Sequence, residues 1–189
     1  MADKIDSRVR QTRAALLGAL PALMMERGYE RITIQNVLER ADVGRATFYA
    51  HFDSKDDLLA ASVANLHAWL VQAWHTMPDQ RLGFTLPLFE HLASHGAMYE
   101  KSVARPSEVS VERHFRQMLI TLVRDDLAKR RGQGDISARE LAIQYVVGAL
   151  WSIIVWWMAG GMHLPPVVIN ALFQRLALPG LDVTLGEKL

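Results

Sequence analysis

Apolar residues recur along this chain at the i, i+3, i+4, i+7 spacing that lays a stripe on one side of a helix, and the stripes are separated by Gly, Pro and Asp. The first stripe spans about residues 7–27, with Ala14, Leu17, Leu20, Leu23 and Met24 on its core side and Gly28 closing it. Pro21 lies inside that pattern and is expected to kink the helix, since an interior proline costs an isolated helix about 3 kcal/mol. Thr33 then caps a short helix carrying Ile34, Val37, Leu38 and Ala41. Asp42-Val43-Gly44 breaks it, because Asp tolerates the left-handed conformation and Gly44 can cap the next helix. That second short helix, over 45–51, puts Phe48 and Phe52 on one side and Ala46, Thr47 and Ala50 on the other.

Further along, Ser54 with Asp57 resembles a capping box and opens a long helix over 55–75, with Leu58, Leu59, Val63, Leu66, Trp69, Leu70 and Ala73 inward. Met77-Pro78-Asp79 ends it. Helices are then predicted over 82–95 and 97–103, separated by Gly96, and over 107–131, with Val111, Phe115, Met118, Leu119, Leu122 and Leu127 inside. The last of these ends in Lys129-Arg130-Arg131, which suits a helix C-terminus. After a connector at 132–135, Ser137 and Glu140 form a capping box for a helix reaching Ala159, and Pro165-Pro166 start a final helix to about Leu176. The tail beyond Pro179 is expected to be loosely ordered.

The pattern therefore predicts an all-α chain in which a three-helix, helix-turn-helix unit at residues 1–53 precedes a helical domain at 54–189. A helix that lies deep in a DNA major groove needs small or hydrogen-bonding outer residues, and Arg45, Ala46, Thr47 and Ala50 meet that need. Arg45 is the best base-reading candidate, since a guanidinium can bond a guanine edge in two places. Thr47, Tyr49 and Lys55 suit phosphate contacts, Gln35 can reach a base, and Gly44 and His51 flank the same helix.

The string T-I-Q-N-V-L-E-R-A-D-V-G-R-A-T-F-Y-A-H-F-D-S-K-D-D-L-L, and within it T-F-Y-x-H-F-x-S-K-x-x-L-L, resembles the DNA-binding signature of the tetracycline-repressor (TetR) family of bacterial transcription regulators. The C-terminal W-W-x-x-x-G-M-x-x-P at 156–165 is similar to a string that recurs in the same family. The resemblance implies an all-helical dimer with an N-terminal DNA-binding domain and a C-terminal domain that dimerises and often binds a small effector. It implies that Arg45, Thr47, Tyr49 and Lys55 touch DNA, together with the region of Thr33 and Gln35. Two positions depart from the pattern: Asp42 stands where the turn usually carries Gly, and Leu38 where the helix crossing usually carries a small residue.

Composition adjusts this picture in a few places. With 189 residues, half of them hydrophobic, the chain can bury one or two real cores. No cysteine is present, which excludes a disulfide scaffold or thiolate metal site and fits a reducing cytoplasm. A net charge of +1 gives no global support for nucleic-acid binding, so the local basic start at Lys4, Arg8, Arg10 and Arg13 has to carry it. From Tyr145 to Met162 the only polar side chain is Ser152, long enough to approach a membrane span. The Gly160-Gly161 end and the lack of flanking basic residues argue instead for a buried soluble helix, and burial against a partner subunit is the simplest arrangement. The helices at 137–159 and 165–176, two from each subunit, would form a four-helix homodimer interface, so the expected target is a palindromic double-stranded DNA operator.

Trp69, Trp74, Met98, Tyr99, Phe115, Met118 and Trp151 are candidates to line a cavity for a small apolar or aromatic effector. His91 and His95 have the i, i+4 spacing that suits zinc and Glu90 is adjacent, but no third ligand is signposted, so no metal and no cofactor is expected. No G-x-S-x-G, phosphate loop, dinucleotide fingerprint or cysteine nucleophile occurs, and the chain is not expected to be an enzyme. These features favour a DNA-binding regulator, most simply a repressor released by a ligand. The competing reading is a helical interaction protein that works through a protein partner.

Overall fold

A computed structural model of the chain describes residues 2–76, 80–96, 109–129 and 136–185. Among them are eight α-helices: α1 Ala2–Arg27, α2 Ile34–Ala41, α3 Arg45–Tyr49, α4 Lys55–His75, α5 Thr85–Ser94, α6 Val109–Ala128, α7 Ile136–Ala159 and α8 Pro166–Leu185. A 3-10 turn, Tyr29–Arg31, joins α1 to α2. The helix expected at 97–103, the Met77-Pro78-Asp79 breaker and the 132–135 connector lie outside the described residues. The chain divides into two compact units, Met1–Asn65 with Ala97–His114, and Leu66–Gly96 with Phe115–Leu189. Both α4 and α6 continue from one unit into the other.

In the first unit α1 packs along α2, and Leu16, Leu20, Leu23 and Met24 of α1 are buried. Ala14 is exposed and Leu17 only half-buried, so the buried stripe is rotated from the expected one. An every-third spacing drifts about 60° around a helix per step, whereas 16, 20, 23 and 24 stay in phase with 3.6 residues per turn. The helix runs on through Pro21 and stops at Gly28, whose φ of 78° is one that glycine adopts without strain. The Gly28 N–H donates to the Met24 carbonyl at 3.1 Å. Glu26 near the end of α1 pairs with Arg40 of α2, and that bond holds the Glu26 carboxyl below its usual range.

At the start of α4, Ser54 Oγ accepts the Asp57 N–H at 3.0 Å, while Asp57 Oδ2 accepts the N–H of Asp53 at 3.1 Å. The return bond thus reaches one residue further back than in a standard capping box.

The second unit is built from the rest of α4 with α5, most of α6, α7 and α8. Leu70 and Trp74 of α4 are buried, but Trp69 is 44% exposed and lies against His91, so the expected inward position of Trp69 is corrected. Positions 70 and 74 lie four apart on one stripe, with 69 beside it. The α6 residues Val111, Phe115, Met118, Leu119, Leu122 and Leu127 are buried as the periodicity indicates. The Lys129 ammonium just beyond α6 stands 3.2 Å from the centroid of the Trp74 ring.

This core also holds polar groups. Asp126 Oδ1 accepts the Leu82 N–H at 3.1 Å. The Thr85 hydroxyl donates to the Leu82 carbonyl at 2.8 Å and pairs with the Asn170 side-chain amide at 2.6 Å. Such groups are tolerated inside because they are bonded.

Two boundaries differ from expectation. Helix α7 begins at Ile136, which puts Ser137 inside it, and Glu140 accepts from Gln144 (3.0 Å) and Arg124 (3.3 Å), so the expected capping box is not formed. Helix α8 continues through Pro179 to Leu185, where the residue pattern predicts a loose tail. Ala177 and Leu181 are buried and Asp182 pairs with Arg81, which together outweigh the loss of one backbone hydrogen bond at the proline.

Helices α7 and α8 each bury one apolar side and expose another. On α7 the exposed side carries Leu141, Tyr145 and Trp156, the last 62% exposed; on α8 it carries Val167, Leu172 and Leu176, the last 68% exposed. Helix α7 has the length and composition of a membrane span, with a mean hydropathy of 1.7, and half of that window is buried within the protein.

Replacing Leu181 by Ala should cost about 2–4 kcal/mol by urea denaturation, the range for a buried leucine. A loss under about 0.5 kcal/mol would mean that the last turns of α8 are not packed as described.

Candidate DNA-binding site

Thr33 and Asn36 cap α2 reciprocally: Thr33 Oγ1 accepts the Asn36 N–H at 3.2 Å, and Asn36 Oδ1 accepts the Thr33 N–H at 3.1 Å. At the other end Asp42 takes the left-handed conformation, φ 53° and ψ 50°. The N–H groups of Asp42 and Val43 both turn back to the Leu38 carbonyl, the latter at 3.1 Å, and Val43 comes after the left-handed residue as in a Schellman-type cap. Asp42 thus takes the place usually given to glycine, as its residue type indicates.

Gly44 then caps α3 in an extended conformation, with φ of −76°, and a Cβ placed there would meet nothing within 4 Å. Among the described residues nothing requires glycine at 44. A need for backbone clearance on the outer side, as when a backbone approaches a ligand, would supply the reason.

Helix α3 has five residues, too few to be stable alone. It is held from beneath by Phe48, fully buried, with the Tyr49 ring edge-on at 5.4 Å and the Phe52 ring at 6.0 Å. The Arg13 guanidinium of α1 lies 4.7 Å from the Phe52 ring centroid and covers that cluster. With the aromatic side turned inward, Arg45, Ala46, Thr47 and Ala50 are exposed, and Tyr49 is 47% exposed. Gln35, Gly44 and Arg45 come together around an open cleft of about 380 Å³, which Leu38, Glu39, Asp42 and Val43 also line. Gln35 donates to Glu39 at 3.0 Å, and Arg45 makes no ion pair among the described residues.

Thr33 is exposed at the start of α2, and His51 is half-buried with its ring 6.4 Å from that of Phe52. Lys55 is half-buried, and its ammonium donates to the carbonyls of Tyr29 (3.0 Å) and Ile32 (2.9 Å) instead of standing free. Of the cavity candidates, Phe115, Met118, Trp151 and Trp74 are buried in the second unit, and the Phe115 and Trp151 rings are 6.4 Å apart. Trp69 is on the surface, and Met98 and Tyr99 lie outside the described residues. His91 and His95 stack ring on ring with centroids 4.3 Å apart, and His95 Nδ1 lies 3.0 Å from the His91 carbonyl. Burial, and after it the neighbouring His95, lowers the His91 pKa to about 4.

A short helix that offers a small outer face, steadied by an aromatic underside and reached through a tight turn from a capped helix, defines a helix-turn-helix DNA-binding protein. Comparison with known sequences gives the family. A profile described as bacterial regulatory proteins of the tetR family matches residues 16–62, and one described as a transcriptional regulator C-terminal region matches residues 79–178. The chain belongs to the tetR family of bacterial regulatory proteins and is a DNA-binding transcriptional regulator.

It is similar to the HTH-type transcriptional repressor KstR2 of Mycolicibacterium smegmatis, 20% identical, with 100% of this chain and 99% of that protein covered. It is also similar to the uncharacterized HTH-type transcriptional regulator YxbF of Bacillus subtilis, 39% identical over 61 residues that cover 32% of this chain and 16% of that one. Among solved structures, a TetR transcriptional regulator from Streptococcus agalactiae superposes with a TM-score of 0.71 at 20% identity, covering 94% and 99% of the two chains. FadR from Bacillus subtilis, in complex with stearoyl-CoA, gives 0.66 at 15% identity, covering 88% of this chain and 98% of that one.

Because His91 in the folded protein has a pKa of about 4 against 6.5 for the free side chain, the unfolded chain binds more protons between those values. Stability should therefore fall as the pH drops from 6.5 toward 4. The urea midpoint is expected to fall less between pH 7 and pH 5 in His91→Gln than in the unaltered protein; equal falls would remove His91 from the acid response.

Proposed function

We propose that the protein is a homodimeric repressor that binds a palindromic operator in the bacterial cytoplasm and is released from it by a small apolar or aromatic effector. The observation that carries this reading is the exposed Arg45, Ala46, Thr47 and Ala50 surface of α3 held out by the buried Phe48. Residues 1–53 form the DNA-binding domain, and residues 54–189 dimerise and take up the effector. Arg45 reads a base edge, with Gln35 beside it across the cleft, while Thr33, Thr47, Tyr49 and His51 contact the backbone. Gly44 and Ala46 leave room for the groove wall.

The exposed apolar sides of α7 and α8 support dimerisation, since a patch of this kind on a soluble chain marks an association site. Two such pairs of helices would close a four-helix interface. A relative named as a repressor supports repression, and the stearoyl-CoA bound by FadR supports an effector with an apolar part. The buried Phe115, Met118 and Trp151 would line its site. Release occurs when the effector prefers a spacing of the two recognition helices that misfits the operator.

The net charge of +1 favours a second reading, in which the same fold acts through a protein partner with little DNA affinity. An electrophoretic shift at stated salt, with sites selected from random DNA, separates the two.

On the selected operator, Arg45→Ala should lose about 1–3 kcal/mol of binding free energy and accept substitutions at one base pair in each half-site. Unchanged affinity and preference would remove Arg45 from base reading. The pair Trp156→Glu with Leu176→Glu should sediment as a monomer at concentrations where the unaltered protein is a dimer. Retention of the dimer would place the interface elsewhere.

A further inference from the structure

Gln35 and Glu39 are both exposed on α2, four residues apart, a spacing at which helix side chains meet, and Gln35 Nε2 donates to Glu39 Oε1 at 3.0 Å. Both line the open cleft that Gly44 and Arg45 border from the α3 side. Arg40, next to Glu39, is engaged with Glu26 of α1, and among the described residues no cation pairs with Glu39. The Glu39 carboxylate is thus left to Gln35. The reciprocal cap between Thr33 and Asn36 fixes the turn of backbone that carries Gln35.

A side-chain amide can turn over and exchange its oxygen for its nitrogen, but an ionised carboxylate only accepts. Facing Glu39, Gln35 has to present its nitrogen to that side, which occupies one of its two N–H donors. One N–H and the carbonyl oxygen remain for the cleft, a single donor with a single acceptor. In the major groove adenine offers the complement, an N7 acceptor and an N6 amino donor, whereas guanine offers two acceptors, N7 and O6. A guanine at this place would set an acceptor against the Gln35 oxygen. A glutamine with both N–H groups at liberty can instead donate twice and take guanine.

We propose that Glu39 is a positioning residue that makes Gln35 read adenine and reject guanine at one base pair of each half-site, without itself touching DNA. This rests on the reading of the chain as an operator-binding regulator and deepens it by naming a base. A simple charge effect of Glu39 would look different, because phosphates are the same at every base pair and repulsion from them carries no sequence information.

The test selects sites from random DNA with the full-length protein and then measures, at one KCl concentration, competition between the selected operator and versions with single A·T pairs changed to G·C. The unaltered protein should select an A·T pair in each half-site and prefer it about tenfold, within the range one two-bond base contact supplies. Gln35→Ala should abolish that preference and leave those at other positions. Glu39→Ala and Glu39→Gln, neither of which dictates the orientation of the amide, should each reduce it to about threefold or less, chiefly by gaining affinity for the G·C site. Adding Glu39→Ala to Gln35→Ala should change the preference no further, since the two side chains act as one unit.

An equal rise in affinity for both sites in Glu39→Ala would make Glu39 a repelling charge only and overturn the proposal. An unchanged preference in both Glu39 variants would overturn it, as would the absence of any adenine preference that Gln35→Ala removes. A second arm needs no DNA: the NMR order parameter of the Gln35 side-chain amide should fall in Glu39→Ala, and an unchanged value would also defeat the assignment. If the unaltered protein selects no site, the operator reading fails and the base assignment falls with it; a selected operator whose preference survives in the Glu39 variants defeats the assignment alone.

Discussion

Five residues cannot hold a helix by themselves, so the position of α3 depends on what Phe48 is pressed into. Fully burying an aromatic of that size contributes on the order of 1.5–3 kcal/mol, a large share of the roughly 3–4 kcal/mol that nucleating a turn of helix costs. The Tyr49 and Phe52 rings and the Arg13 guanidinium surround it, so α3 is fixed by an aromatic cluster and not by its own hydrogen bonds. That division of labour releases the outer residues from any packing duty. The left-handed Asp42 and the paired bonds to the Leu38 carbonyl set the angle at which α2 hands the chain to α3, and the Thr33–Asn36 cap fixes where α2 begins.

The second unit is stabilised differently. Two of its helices, α7 and α8, are apolar on more than one side, and its interior also holds Thr85, Asn170 and Asp126, each of them hydrogen-bonded. An apolar core of leucines alone would tolerate sliding of one helix past another. The bonds from Asp126 to the Leu82 N–H and between Thr85 and Asn170 tie α6 and α8 to the start of α5 at single registers. The cost is sensitivity: removal of one partner leaves a buried polar group without a bond, which costs about 1–3 kcal/mol.

Much of this is legible from residue spacing. The helix-turn-helix can be read residue by residue, with the cap at Thr33, the break at Asp42 and the inward Phe48 and Phe52, because local signals dominate in short capped helices. The start of α4 is legible to the residue, since Ser54 caps its first turn. The features that spacing does not reveal are decided by tertiary contact. Trp69 and Trp74 are equally hydrophobic, and only the packing of α4 decides which is covered. Asp126 looks like a solvated charge beside Asp125, although its phase with Leu119, Leu122 and Val123 marks the inner side of α6. The end of α8 is hidden because Pro179 and Gly180 outvote any local helix signal, and only Leu181 and the Arg81–Asp182 pair restore it. Lys55 matches a family string, and its two carbonyl partners are invisible in one dimension.

The separation of the two sides of α3 bears on how such proteins diversify. Positions 45, 46, 47 and 50 can accept new side chains with little disturbance to the cluster around Phe48, so the outward surface of α3 can change while its scaffold is retained. A fold shared at a TM-score of 0.71 with only 20% of residues in common shows how few positions the scaffold itself has to keep.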